Sequence, residues 1–196
     1  MKILAFGASS SRKSINRTLA TYAASLVAGA QIETLDLNDY EIPLYSEDRE
    51  AELGQPEKAR AFLDKLGAAD AIVVSFAEHN GSYTAAYKNL FDWSSRVQRD
   101  VFQHKPVVFL ATSPGPGGAA SVLKFATDSA HFFAAEVKGS LSIPSFYDHF
   151  DLQAGELTEP ELKSRLLDAM STLTPHDTGV RPPQGGKDAK RSSASP

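Results

Sequence analysis

Apolar residues in this chain gather into five short blocks, separated by stretches in which they recur every three or four positions. The blocks run Lys2 to Phe6, Gln31 to Asp36, Ala71 to Phe76, Pro106 to Ala111 and Glu136 to Leu141. Rich in β-branched residues or Phe, they have the composition of strands. The first, third and fourth (ILAF, AIVVSF, VVFLA) are nearly continuous apolar runs, as strands covered on both faces should be, and belong at the centre of a sheet. The second and fifth (QIETLD, EVKGSL) alternate apolar with polar residues, which places them nearer an edge.

The intervening stretches have helical spacing. Ser14 to Ala28 carries Ile15, Leu19, Tyr22, Ala23, Leu26 and Val27 on one face and stops at Gly29. Gln55 to Leu66 repeats the pattern, Thr84 to Val97 and Ala119 to Phe133 supply two more helices, and Glu159 to Leu173 has Leu162, Leu166, Leu167 and Met170 behind Pro160. Strict alternation of five strands and five helices predicts an α/β fold. Its form is a flavodoxin-like, doubly wound five-stranded parallel sheet of order 2-1-3-4-5 with helices on both faces.

The expected domain covers residues 1 to 173. From Thr174 to Pro196 there is no aromatic residue, but there are four prolines and three glycines, a composition that predicts a disordered tail. The whole chain of 196 residues, 42% hydrophobic and 22% charged, is long enough to bury a core without a disulfide or structural metal. It contains no cysteine, which removes thiol chemistry and cysteine-ligated metals and makes the reducing cytoplasm the default compartment. A net charge of -4 argues against nucleic-acid binding. No apolar stretch approaches a membrane span, and Met1 and Lys2 lead straight into the first strand with no signal segment.

In open α/β sheets ligands collect beyond the carboxyl ends of the strands, and three loops there are unusual. After the first strand, Gly7-Ala8-Ser9-Ser10-Ser11-Arg12-Lys13-Ser14-Ile15-Asn16 sets four serines and two cations at a helix start. Ser9, Ser11, Ser14 and Asn16 are candidate donors to a phosphate monoester, with Arg12 adding a charge-assisted bond. One serine would suffice as a helix cap, so five clustered polar residues favour the anion site. The loop lacks the Gly-Lys-Ser/Thr pattern of nucleoside triphosphatases and the three-glycine pattern of dinucleotide folds. After the third strand, Glu78-His79-Asn80-Gly81-Ser82 contains an Asn-Gly turn that directs backbone N–H groups one way, toward the edge of a planar heteroaromatic ring. Taken alone, it reads more simply as a tight turn. After the fourth, Ser113, Gly115, Gly117 and Gly118 sit among two prolines in a stiff loop that lets a ligand approach the backbone.

Together these loops resemble those of the NAD(P)H-dependent FMN reductase family, flavodoxin-like proteins that include quinone, azo-dye and chromate reductases. Gly7, Ser9, Ser11, Ser14, Asn16 and Leu19 match the family's phosphate loop. Glu78, Asn80 and Ser82, followed by Lys88, Asn89, Asp92, Trp93, Ser95 and Arg96, match its most specific segment. Ser113, Gly115, Gly117 and Gly118 match the segment that lies beside the isoalloxazine. Two departures are Ala77 at a usual Pro and His79 at a usual Tyr. The resemblance implies FMN as cofactor, NADPH or NADH as co-substrate, hydride transfer to flavin N5, and onward transfer to quinone, azo, nitro, metal-oxyanion or free-flavin acceptors. It also implies a homodimer or homotetramer paired through helices such as Thr84 to Val97, where Trp93 and Arg96 are candidate interface residues, although a lone Trp belongs more often to the core.

The flavin carries the chemistry, so no side chain must act as acid or base. His79 is a candidate proton relay, although a solvated loop residue explains it as well. The rival reading is a flavodoxin-like electron carrier without nicotinamide reductase activity. The mild acidity outside the tail, sixteen basic against twenty-two acidic residues, favours it little. A serine hydrolase lacks its nucleophile elbow here. Asp148, His149 and Asp151 do not have a regular zinc spacing, so no metal site is expected.

Overall fold

A computed structural model describes residues 1–174. All but the first residue of the expected tail lies outside the described residues. Strands β1 (Lys2–Ala8), β2 (Gln31–Leu35), β3 (Ala71–Phe76), β6 (Pro106–Thr112) and β7 (Glu136–Ile143) form one parallel sheet of order β2-β1-β3-β6-β7. Counting only these five, this is the expected 2-1-3-4-5 order. Two short antiparallel ribbons supply the remaining strands, β4 (Glu78–His79) with β5 (Ser82–Tyr83) and β8 (Phe150–Asp151) with β9 (Glu156–Leu157).

The apolar runs explain the order. Every residue of β3 is buried, as are all but the first residue of β1 and of β6, whereas on the two edges β7 alternates in exposure and β2 is buried only at Leu35. The side chains divide into two cores. One, rich in aromatic rings, lies under α3 (Glu57–Gly67), α4 (Ala85–Val97) and α5 (Ala120–Ser129), with Phe6, Phe62, Phe76, Tyr87 and Phe109 in contact. The other is built mainly of alanine and aliphatic residues, with Phe146 and Phe150 stacked among them, under α1 (Ile15–Ser25) and α7 (Pro160–Ser171).

Capping sets the helix starts close to expectation, with Ser14 accepting from the Arg17 amide, Thr84 from Tyr87 and Glu159 from Leu162. The Ala119–Phe133 helix is shorter than expected, because α5 ends at Ser129 and a 3-10 turn follows over Ala130–Phe133. Two helices were absent from the periodicity. These are α2 (Glu47–Leu53), which has no buried residue, and the single turn α6 (Phe146–His149).

Gly7 carries the join between sheet and helix. A Cβ there would lie 2.9 Å from the Asn16 carbonyl carbon and 2.8 Å from the Arg17 Cα, so only glycine lets α1 start directly on the end of β1.

Candidate functional site

The carboxyl ends of β1, β3 and β6 surround a cavity of about 290 Å³. Its wall contains Ser9, Ser11, Lys13, Ser14, Ile15 and Asn16 from the first loop, Ala77, Glu78 and His79 from the third, Thr112, Ser113 and Pro114 from the fourth, and Tyr147 from α6. Three loops separated by up to a hundred residues thus meet where the sheet topology requires. A larger groove of about 470 Å³ along α1, between Thr18, Tyr22 and Phe150, carries none of the candidate residues.

Within the first loop the hydroxyls are buried yet incompletely used. Ser9 and Ser14 are 8% and 6% exposed. Ser9 Oγ accepts from the Ser11 amide and Ser14 Oγ from the Arg17 amide, each at 3.1 Å. Each hydroxyl therefore keeps its own O–H to donate. The first amides of α1 have no partner within the helix, and Lys13 supplies a positive charge to the cavity wall.

Arg12 stands elsewhere, exposed and lining an adjoining cavity of about 350 Å³ with Arg17, Thr18 and Leu152. Arg17 is engaged as well, because its guanidinium pairs with Asp36 and donates to the Arg12 carbonyl at 2.6 Å. The amide of Asn38, then its side chain and Arg17, holds the Asp36 carboxyl below its ordinary value. Of the two loop cations, Lys13 is the one that faces the cavity.

Asn16 lines the cavity but works mainly inward. Its Oδ1 accepts from Ser75 Oγ at 2.7 Å and from the Thr112 amide at 3.1 Å, and its Nδ2 donates to the Thr112 carbonyl at 3.1 Å. Thr112 Oγ1 continues the chain of bonds to the Ile143 carbonyl at 2.7 Å. One side chain thereby ties the helix start to the ends of β3 and β6. Three of its four hydrogen-bonding positions are taken, which leaves one Nδ2 hydrogen for the expected role of phosphate donor.

The Asn80-Gly81 turn has the expected positive φ, 52° and 77°, and closes the β4–β5 hairpin. His79, Asn80, Gly81 and Ser82 are exposed, and the last three lie outside the cavity wall. Glu78 Oε2 accepts from the Val122 amide at 2.9 Å. In the fourth loop only Ser113 and Pro114 reach the cavity. Gly115 and Gly117 face open space, whereas Gly118 (φ 58°) sits where a Cβ would lie 3.0 Å from the Pro144 nitrogen. Gly118 is thus required by packing against the end of β7, a need separate from ligand approach.

Among the described residues no three His, Cys, Asp or Glu side chains are grouped to hold a metal. The Asp151 carboxylate is spent on the amides of Gln153 and Ala154, which hold it below its ordinary value. No helix among the described residues is long and apolar enough to cross a membrane.

The sequence profile described as NADPH-dependent FMN reductase matches residues 1–148. The chain belongs to that family. An NAD(P)H-dependent FMN reductase of Pseudomonas aeruginosa is 31% identical over 176 residues, 88% of this chain and 93% of the relative. A 2-hydroxy-1,4-benzoquinone reductase of a Burkholderia species is 34% identical over 122 residues, 61% of this chain and 64% of the relative. Among solved structures, the flavoenzyme NAD(P)H:(acceptor) oxidoreductase FerB of Paracoccus denitrificans superposes with a TM-score of 0.65 at 22% identity, over 88% of this chain and 94% of the other. Membership makes the chain an oxidoreductase of the FMN- and NAD(P)H-dependent kind.

In this FMN reductase the α4 signature serves the connection between β2 and α2. Asn89 Oδ1 accepts from the Tyr45 amide at 2.8 Å, and its Nδ2 donates to the carbonyls of Ile42 and Pro43 at 3.0 and 3.1 Å. Trp93 Nε1 also donates to the Pro43 carbonyl, at 2.8 Å, and the Tyr45 ring stands edge-on to the indole at 5.1 Å. Arg96 pairs with Glu50 of α2 at 2.9 Å. Trp93 is fully buried within its own chain, which decides for the core over an oligomer interface. The strap so held walls a second cavity of about 350 Å³ with Leu37, Tyr40, Ile42 and Leu44 facing Ser10 and Ala85.

Lys13, Ile15, Ala77, Thr112, Pro114 and Tyr147 are cavity residues outside the set expected from the sequence. Tyr147 follows the fifth strand, whose loop shares the carboxyl end of the sheet. Extending the search to that loop would have found it.

Proposed function

We propose that this chain carries FMN in the cavity at the carboxyl ends of β1, β3 and β6, accepts reducing equivalents from NADPH or NADH, and delivers them to small-molecule acceptors. The observation that carries this reading is the convergence of two buried hydroxyls with unspent O–H donors, the start of α1 and Lys13 on one wall. That donor set suits a phosphate monoester, combining neutral donors, helix amides and one mobile charge. In this reading Ser9, Ser11 and Ser14 with the first amides of α1 hold the phosphate, Lys13 balances its charge, and Asn16 keeps the helix start in place. Arg12 contributes at long range from the adjoining cavity.

The backbone of His79 to Ser82 and of Ser113 to Gly118 borders the ring, where N–H groups favour the negative charge that reduction brings. When bound, FMN supplies the hydride chemistry between nicotinamide and acceptor. The protein's part is to orient the ring and leave one face open, with the exposed His79 beside it as the candidate proton relay. The Burkholderia relative's name supports quinones as acceptors, and azo, nitro, metal-oxyanion or free-flavin acceptors fit the same open face. Reduced nicotinamide is supplied in the cytoplasm, which is where this reading locates the chain.

An anaerobic titration of FMN-loaded protein with NADPH, then NADH, tests the proposal. Stoichiometric bleaching of the visible flavin band is expected. Flavin that binds but stays oxidised would favour an electron carrier, and failure to bind flavin would remove the site assignment.

A further inference from the structure

We propose that Glu78 is a positioning residue that fixes the separation between the β4–β5 hairpin and the loop after β6, acting through helix α5 and not by contact with the flavin. This rests on the FMN reading above. Helix α5 follows Ala119, which lies in the left-handed region at φ 59° and offers no side-chain oxygen to the first helical amides. The missing acceptor comes from a residue 44 positions earlier, because Glu78 Oε2 accepts from the amide of Val122, the third residue of α5. A carboxylate is the favoured group at that place, as acceptor and as negative charge at the positive end of a helix.

The bond couples the two segments that border the ring in the proposed complex. Glu78 pairs with Tyr83 at the base of the hairpin, whereas Val122 lies four residues beyond Gly118, the last of the loop glycines. The loop itself is already held from its other side. Ser142 Oγ donates to the Gly118 carbonyl at 2.8 Å, and the amides of Ser145 and Phe146 donate to the carbonyls of Gly115 and Ser113 at 2.9 and 3.0 Å. The hairpin is therefore the part left to be set. Its strands are two residues long and its tip is exposed. Tyr83 at its base packs against Phe76 and Tyr87 at 5.5 and 5.0 Å, and toward α5 it rests edge-on against Phe125 at 5.3 Å. A ring contact of that kind resists separation but tolerates sliding, and the directional bond from Glu78 removes the slide.

The same bond answers an electrostatic problem. A carboxylate on the wall of a cavity meant for a phosphate would repel its ligand, and the amide end of α5 offsets that charge. The two roles separate in variants. Glu78→Gln keeps an acceptor oxygen for Val122 and removes the charge, whereas Glu78→Ala removes both.

The experiment titrates FMN into the apoproteins of wild type, Glu78→Gln and Glu78→Ala by quenching of flavin fluorescence, with amide hydrogen exchange of each apoprotein alongside. Glu78→Gln should bind FMN within about threefold of wild type, and Glu78→Ala roughly tenfold more weakly, the scale of one misplaced recognition element. Exchange at the Gly81, Ser82 and Tyr83 amides should rise in Glu78→Ala and stay near wild type in Glu78→Gln. Equal loss of affinity in both variants would show the charge acting on the ligand directly and overturn the proposal. A lowered melting temperature in Glu78→Ala with FMN affinity and hairpin exchange unchanged would reduce Glu78 to a helix cap and overturn it too. If wild type itself binds no FMN, the functional reading fails, and hairpin exchange still decides for or against the positioning role.

Discussion

An asparagine amide offers two donors and two acceptor positions, and at Asn16 three of the four are taken by Ser75 and Thr112. Replacing it with Ala would orphan buried groups on both strands, at a cost of about 2–4 kcal/mol, so urea denaturation of the Asn16→Ala apoprotein should show a clear loss of stability. Ser14 differs, because its backbone bond leaves the hydroxyl hydrogen free. Ser14→Ala should weaken FMN binding about tenfold by losing a donor to a charged group, with a smaller stability loss of about 1 kcal/mol from the missing cap. Asp36 supplies a pH test. Its carboxyl lies below its ordinary 3.8 in the folded protein, so its stabilising effect is full above that value and is lost as pH falls through the folded value. Melting temperatures between pH 5 and pH 2 should therefore fall less steeply in Asp36→Asn than in wild type. Residue type and order made the first loop legible as a site, but which polar group turns inward depends on partners a hundred residues away.

At the scale of elements, the five sheet strands and their order followed from apolar runs and alternation, because burial on two faces or one leaves that mark directly in the residues. The hairpin and α2 left no such mark. The strands β4 and β5 are too short for a period, and α2 buries nothing, held instead by the pair between Glu50 and Arg96. The glycine-rich loop was legible as unusual, yet its glycines do different work. Gly118→Ala should cost roughly 1–3 kcal/mol, since it forces a positive φ and crowds the Pro144 backbone. Gly115→Ala, with nothing within 4 Å of the new methyl, should change stability by less than about 0.5 kcal/mol. Thermal denaturation of the two variants compares them directly.

For the whole molecule, the expected homodimer or homotetramer is best sought on the face covered by α3, α4 and α5. Leu44, Leu53, Phe125 and Phe132 are each more than half exposed on elements of that side, an amount of open apolar surface that suits burial against another chain. Light scattering should return at least twice the mass of one chain, and a monomeric mass at micromolar concentration would count against pairing. Trp93 contributes nothing to such a face, because its indole is covered by its own chain, the commoner place for a lone Trp.

The strap over α4 has a consequence for how such a protein diversifies. Asn89 and Trp93 grip it by the carbonyls of Ile42 and Pro43 and the amide of Tyr45, and the carbonyls at least are groups that every amino acid carries. The wall of the second cavity can therefore be recast at Tyr40, Ile42 or Leu44 by natural drift or laboratory selection while the frame that carries it stays in place. A library randomised at Ile42 and Leu44 should yield many folded clones, as judged by thermal denaturation, and one randomised at Asn89 and Trp93 few folded clones of any kind.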